Sequence, residues 1–287
     1  MDRLTVLCFG GTYALALASE LARLVVRNPA RWYLSVALTA LGWLVHTAYL
    51  ANQFGRSQGL LLVTTVFGSL LVLAWMLVLY DLYLVVHSPK RVAVGVFVLP
   101  VVLALVTVAG LRAPRVGWSG WGEGWINFWV AVHVAFLLLG AVGTCVAFIA
   151  GLMYLAQVYR LKHKRPPQVG FALPSLEQSE RLNRLAITMA FPLLTFGLLI
   201  GVALILATRQ GGEEILGWTD PKVIATGLTW LVFAVLLHAR YSPQWRGRWV
   251  MVLTVVAFAF LLFTMVGVGL VLPTAHGRPA PALGRAP

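Results

Sequence analysis

Charge is scarce in this chain, and negative charge scarcest: 9 Asp and Glu stand against 22 Lys and Arg, and charged residues make up 11% of the 287 residues. That leaves too few acids at mid-membrane depth for a proton or cation relay, which weighs against an ion-driven transporter. Cysteine is scarcer still. Cys8 and Cys145 lie far apart inside apolar runs and form no CxxC pair, so both read as buried, inert thiols and thiol exchange has no support. Long polar stretches are also rare. Hydrophobic residues make up 60% of the chain, and its mean hydropathy is +0.86, a balance foreign to soluble domains of this length. No repeat of regular period is visible.

What fills the chain is apolar sequence in runs at 4–26, 32–52, 60–86, 92–111, 126–158, 185–208, 223–238 and 249–272. Most are long enough to cross a ~30 Å hydrocarbon layer as helices, and they are too long and Leu-rich for barrel strands. The fold class expected is all-α: a polytopic integral membrane bundle of about eight transmembrane helices, one membrane domain over 1–287. The first run carries Glu20 and Arg23 and lacks a small-residue cleavage site, so it reads as a retained helix rather than a signal peptide. Its acid is expected to pair with a nearby base, as is Asp81.

Loops alternate between two sides. Arg27, Arg31, Lys90, Arg91, the cluster Arg160, Lys162, Lys164, Arg165, Arg181 and Arg184, then Arg240, Arg246 and Arg248 fall on one side. Arg3, Arg56, Arg112, Arg115, Arg209, Lys222, Arg278 and Arg285 fall on the other. The first set is larger and denser, which puts that side in the cytoplasm and both termini outside. Loop topology therefore accounts for the net charge of +13, and no nucleic-acid partner is expected; the surrounding partner is membrane lipid. The one sizeable polar insert, 159–183, reads as a cytoplasmic basic linker. Within it Ser175 followed by Gln178 has the spacing of a capping box at a helix start. The Pro/Gly/Ala-rich segment 279–287 reads as a flexible tail.

Histidines carry the chemistry. His46, His133, His238 and His276 lie in or just past apolar runs, where an imidazole is costly to bury and so a functional candidate. The stretch 116–129, VGWSGWGEGWINFW, holds Trp118, Trp121, Trp125 and Trp129 with three interleaved glycines. It suits an interfacial aromatic belt or a flat platform for a planar ligand. His133 falls about two helical turns after Trp125, some ~10–12 Å below the outer helix end. His276 lies just beyond the last run on that same side. Two neutral imidazoles meeting one iron from opposite faces would make a bis-His haem site; satisfaction by a neighbouring helix is the plainer alternative. His46 matches His133 in depth and could share its site, whereas His46 and His238 are separated by roughly 15 Å along the membrane normal, too far for one iron. His238 also suits a cation closing a helix C-terminus. His87 and His163 read as solvated.

The segments 173–201 (LPSLEQSERLNRLAITMAFPLLTFGLLIG), 218–222 (WTDPK), 229–240 (TWLVFAVLLHAR), 245–249 (WRGRW) and 267–276 (GVGLVLPTAH) together resemble the CcsA-type cytochrome c assembly proteins, above all their shorter HemX-like members. The resemblance covers roughly 125–276. It implies a haem-handling protein of the bacterial inner (plasma) membrane that binds haem b, held or passed on, and presents it at the outer face beneath a tryptophan-rich segment. It also implies help in attaching that haem to apocytochrome c, alongside a separate assembly partner with a periplasmic domain. By the same resemblance His133 and His276 flank the outer haem as iron ligands, and His238 is one of two intramembrane histidines. Trp218, Asp220 and Pro221 are then the remnant of the tryptophan-rich motif. The chain departs from the family where 211–216 replace further tryptophans and where Gly55-Arg56-Ser57-Gln58 replaces a Gly-His-Pro. These losses suit an accessory or regulatory member better than a full haem-attachment synthase. A membrane regulator or scaffold whose basic linker meets a cytoplasmic partner is the competing reading.

Overall fold

The eight apolar runs coincide with helices. The computed structural model describes residues 2–25, 29–56, 63, 65–87, 93–111, 125–164, 173–210, 217–242, 244–245 and 247–274. These form α1 (Asp2–Val25), α2 (Pro29–Arg56), α3 (Val66–His87), α4 (Gly95–Leu111), α5 (Trp125–Lys162), α6 (Leu176–Gln210), α7 (Pro221–Tyr241) and α8 (Arg248–Leu262). The last continues through a π-helical turn, Phe263–Gly267, into the single-turn α9 (Val268–Val271). Six stretches are long and apolar enough to cross a membrane: Arg31–Gly55, Val66–His87, Trp125–Lys162, Leu176–Arg209, Pro221–Tyr241 and Arg248–Val271. α4, apolar but 17 residues long, and α1, which carries Glu20 and Arg23, are not among the six.

Packing divides the bundle into two groups of four. α1 lies against α2 and α4, and α3 against α2 and α4; α5 lies against α6 and α8, and α7 against α6 and α8. α5 also touches α3 and α4, so it joins the groups. In lipid no hydrophobic force drives helix on helix, so close approach rests on small residues and polar contacts. Gly143 of α5 supplies the first: a Cβ there would sit 3.0 Å from the Cβ of Ala190 and 3.2 Å from the Ala186 carbonyl on α6. Asn183 supplies the second. Buried on α6, it donates from Nδ2 to the Ala147 carbonyl of α5 at 2.9 Å and to Thr254 Oγ1 of α8 at 3.3 Å.

Two local expectations are met and one is not. Arg23 pairs with Glu20 at 2.9 Å, both buried. The Gln178 amide donates to Ser175 Oγ and the Ser175 amide to Gln178 Oε1, each at 3.1 Å, and α6 starts at the next residue, Leu176. The base expected beside Asp81 is not found among the described residues: the charged group near it is Glu20, with the point above Gly95 where a Cβ would stand 3.4 Å from Glu20 Cγ and 3.6 Å from Asp81 Oδ2, and Asp81 Oδ1 is buried with no hydrogen-bond partner there. Two expectations shift. The 159–183 insert is helical at both ends, since α5 runs through Lys162 and α6 begins at Leu176, because basic and capped ends extend the helices past the apolar core. Cys8 is exposed rather than buried, since it lies on a face of α1 that no described helix covers, while Cys145 is buried as expected; both are free. The tail 279–287 lies outside the described residues.

Candidate functional site

At one end of the second group meet the first turns of α5, the last of α6, the start of α7 and the end of α9. His133 sits on α5 facing α6. Its Nδ1 lies 2.7 Å from the Gly197 carbonyl oxygen, which can only accept, so Nδ1 carries the proton and donates. The lone pair of the neutral ring is thereby assigned to Nε2. The imidazole is admitted by Gly201, one turn along: a Cβ there would stand 2.7 Å from His133 Cε1 and 3.1 Å from Nδ1. The ring is half-buried, and the bond to Gly197 fixes its tautomer and restrains its tilt.

Trp125 and Trp129 are exposed on the first turns of α5, on the end-ward side of His133. Their ring centroids are 5.9 Å apart and their planes 83° apart, and Phe128 meets Trp129 at 5.7 Å and 78°. The indoles thus meet edge to face, the geometry their quadrupoles favour, and do not form one flat surface; each presents its own face. Trp218, 43% exposed, precedes α7 at the same end.

Asp220 is turned the other way, into protein. It caps α7, its Oδ1 accepting from the Lys222 amide at 2.8 Å. It also receives the Thr274 hydroxyl, 2.7 Å from Oδ1 and 2.9 Å from Oδ2. Trp118, Trp121 and His276 lie outside the described residues.

His46 belongs to another part of the molecule. It is fully buried between α1 and α2, its ring stacked on Phe9 at 4.1 Å and 5°, with Nδ1 3.2 Å from the Tyr13 hydroxyl. Among the described residues its buried Nε2 has no hydrogen-bond partner. The expectation that it shares a site with His133 is not met, because equal depth does not bring helices together: α2 packs on α1 and α3, and His133 is held between α5 and α6. His238 is exposed on the last turn of α7, where its carbonyl accepts the Ser242 amide at 3.0 Å. His87 and His163 are exposed, each bonded to a carbonyl on its own helix.

Gly197, Gly201 and Thr274 were not singled out in the sequence. The G-x-x-x-G spacing of the first two inside an apolar run signals close helix contact, though not a histidine. Thr274 carries no local signal, since its partner is 54 residues away.

A haem fits the residues present. Among the described residues no group of three or more His, Cys, Asp or Glu could hold a bare metal ion. One oriented imidazole beside aromatic faces suits an iron that brings its own equatorial ligands.

The chain matches the family described as cytochrome C assembly protein over residues 63–276. It is 27% identical to the cytochrome c biogenesis protein CcsA of Parasynechococcus marenigrum over 298 residues, covering 94% of this chain and 95% of that protein. It is 25% identical to the CcsA of Guillardia theta, covering 83% and 82%. It is 26% identical to the Protein HemX of Brevibacillus brevis, covering 82% of this chain and 84% of that one.

Proposed function

The chain belongs to the cytochrome c assembly protein family, and on that premise we propose that it binds haem at the Trp125–Trp218 end of the bundle and presents it for attachment to apocytochrome c. The observation that carries this reading is His133, whose Nδ1–H is committed to the Gly197 carbonyl while Nε2 is left as a ligand atom. His133 and His276 would hold the haem iron, with Trp125, Trp129 and Trp218 beside it and Trp118 and Trp121 added from the neighbouring segment. A bound haem b would supply the electrophilic porphyrin edge and the redox-active iron; the chain's own part is to hold, orient and shield. The charge distribution supports both termini and this end facing outward across a bacterial inner membrane, with α1 and α4 completing eight spans. A partner with a periplasmic domain would complete the system.

The likeness to Protein HemX over most of both chains favours a second reading: a membrane regulator or scaffold without catalytic activity. One experiment separates them. Cells lacking their own copy are supplied with the wild type, His133→Ala or Gly201→Val, and covalent haem in c-type cytochromes is measured by haem staining. Loss of staining with both variants at normal protein level supports presentation; full staining supports the scaffold.

A further inference from the structure

Two reciprocal notches lock α5 to α6. A Cβ on Gly197 of α6 would stand 2.6 Å from Leu137 Cδ2 and 3.3 Å from the Leu137 amide nitrogen, so the leucine fills the space that a side chain would take. The exchange is returned further along: a Cβ on Gly140 of α5 would stand 2.7 Å from both Cδ2 and Cγ of Leu194 on α6. His133 continues the first row. It stands one turn before Leu137 on α5, as Gly201 stands one turn after Gly197 on α6, and its ring crosses Gly201 as Leu137 crosses Gly197. The two helices therefore run antiparallel, with Leu137 one turn, ~6 Å, below the imidazole.

Gly197 meets both side chains. Helix carbonyls point toward the C-terminus, and on α6 that is the end at which His133 stands. A carbonyl oxygen has two lone pairs: in an α-helix one takes the amide four residues on, and here the other takes His133 Nδ1–H at 2.7 Å. The missing side chain of Gly197 admits Leu137, and the depth to which Leu137 enters sets how near that carbonyl lies to α5. We propose that Leu137, seated against Gly197, is a positioning residue for His133: it fixes the spacing of α5 and α6 one turn below the ring and so holds the Gly197 carbonyl at bonding distance from Nδ1. This rests on the haem-binding reading above. An imidazole whose second nitrogen gives its proton to a carbonyl is a stronger metal donor, so the same contact tunes Nε2 and, through it, the potential of a bound iron.

Gly197→Ala puts a methyl group against Leu137 and drives the helices apart at this level. Gly197→Ala combined with Leu137→Ala returns the space, and it separates displacement of the ring from misfolding. Gly143→Ala is the control: its Cβ would stand 3.0 Å from that of Ala190, a comparable packing lesion ~15 Å along α5 from His133. In detergent-purified apoprotein with isotope-labelled histidine, nitrogen magnetic resonance reads which ring nitrogen of His133 carries the proton. Wild type, the double variant and Gly143→Ala should hold it on Nδ1. In Gly197→Ala the ratio of Nδ1–H to Nε2–H should fall about tenfold, the worth of one hydrogen bond. A wild-type ratio in Gly197→Ala would overturn the proposal, as would a double variant that stays shifted or a Gly143→Ala that shifts equally. In haem-loaded protein the midpoint potential should rise in Gly197→Ala and return in the double variant. A ratio that moves while the potential does not would leave the positioning role standing and remove His133 from the iron. If wild type bound no haem, the haem reading would fall and the apoprotein arm would still judge Leu137.

Discussion

A methyl group at position 201 would meet the ring of His133 at 2.7 Å, so one hydrogen atom separates a seated imidazole from a displaced one. Gly201→Val should leave α6 intact, since Val is tolerated in helices, yet expel the ring and break its bond to Gly197. We expect haem affinity to fall about tenfold or more, the usual cost of losing the group that orients a metal-bound histidine. Haem titration of apoprotein followed by its Soret band checks this; unaltered affinity would separate His133 from the haem. A different residue-scale test lies in the other half. Arg23 is the buried cation beside Glu20, with Asp81 close by across Gly95. Arg23→Met should destabilise the fold by about 3–5 kcal/mol, because it strands the buried Glu20 without its counter-charge. Adding Glu20→Gln to that variant should recover part of the loss, read as the thermal unfolding midpoint in detergent.

Helices were legible wherever periodic apolar sequence met a local end signal. α6 is the clearest instance, its first turn set by the reciprocal bonds of Ser175 and Gln178. Ser175→Ala should cost about 1 kcal/mol and fray only that turn, visible as faster amide exchange near Gln178 with α7 and α8 unchanged. Helix pairing was not legible. His46 and His133 match in depth along the normal, but depth is a one-dimensional coordinate and says nothing of which helices touch. The contact that places His133 depends on two glycines in α6, and glycines in an apolar run announce closeness without naming the neighbour. Asp220 shows the same gap: its spacing to Pro221 marks a helix start, whereas its bond to Thr274 is purely tertiary. The edge-to-face indoles follow from ring electrostatics and helix position together, so their lack of a common plane was beyond a residue count.

For the whole molecule, two four-helix groups share α5 as a wall, and the proposed site occupies one end of the second group only. α5 spans 38 residues, about 57 Å at the α-helical rise, so it must project beyond the ~30 Å hydrocarbon layer. Its basic last turn, with Arg160 and Lys162, is where projection into the cytoplasm suits the charge. In a background with Cys8 and Cys145 replaced, a single cysteine at Thr219→Cys should react with an impermeant maleimide on intact cells. His163→Cys should react only after permeabilisation, and the reverse pattern would invert the topology. The central claim, that His133 Nε2 ligates haem iron, is tested most directly by the haem-to-protein ratio and ferric electron paramagnetic resonance spectrum of wild type and His133→Ala purified side by side. The account predicts low-spin bis-imidazole haem in the wild type and its loss or conversion to high spin in the variant. Equal haem content with an unchanged low-spin signal would contradict it.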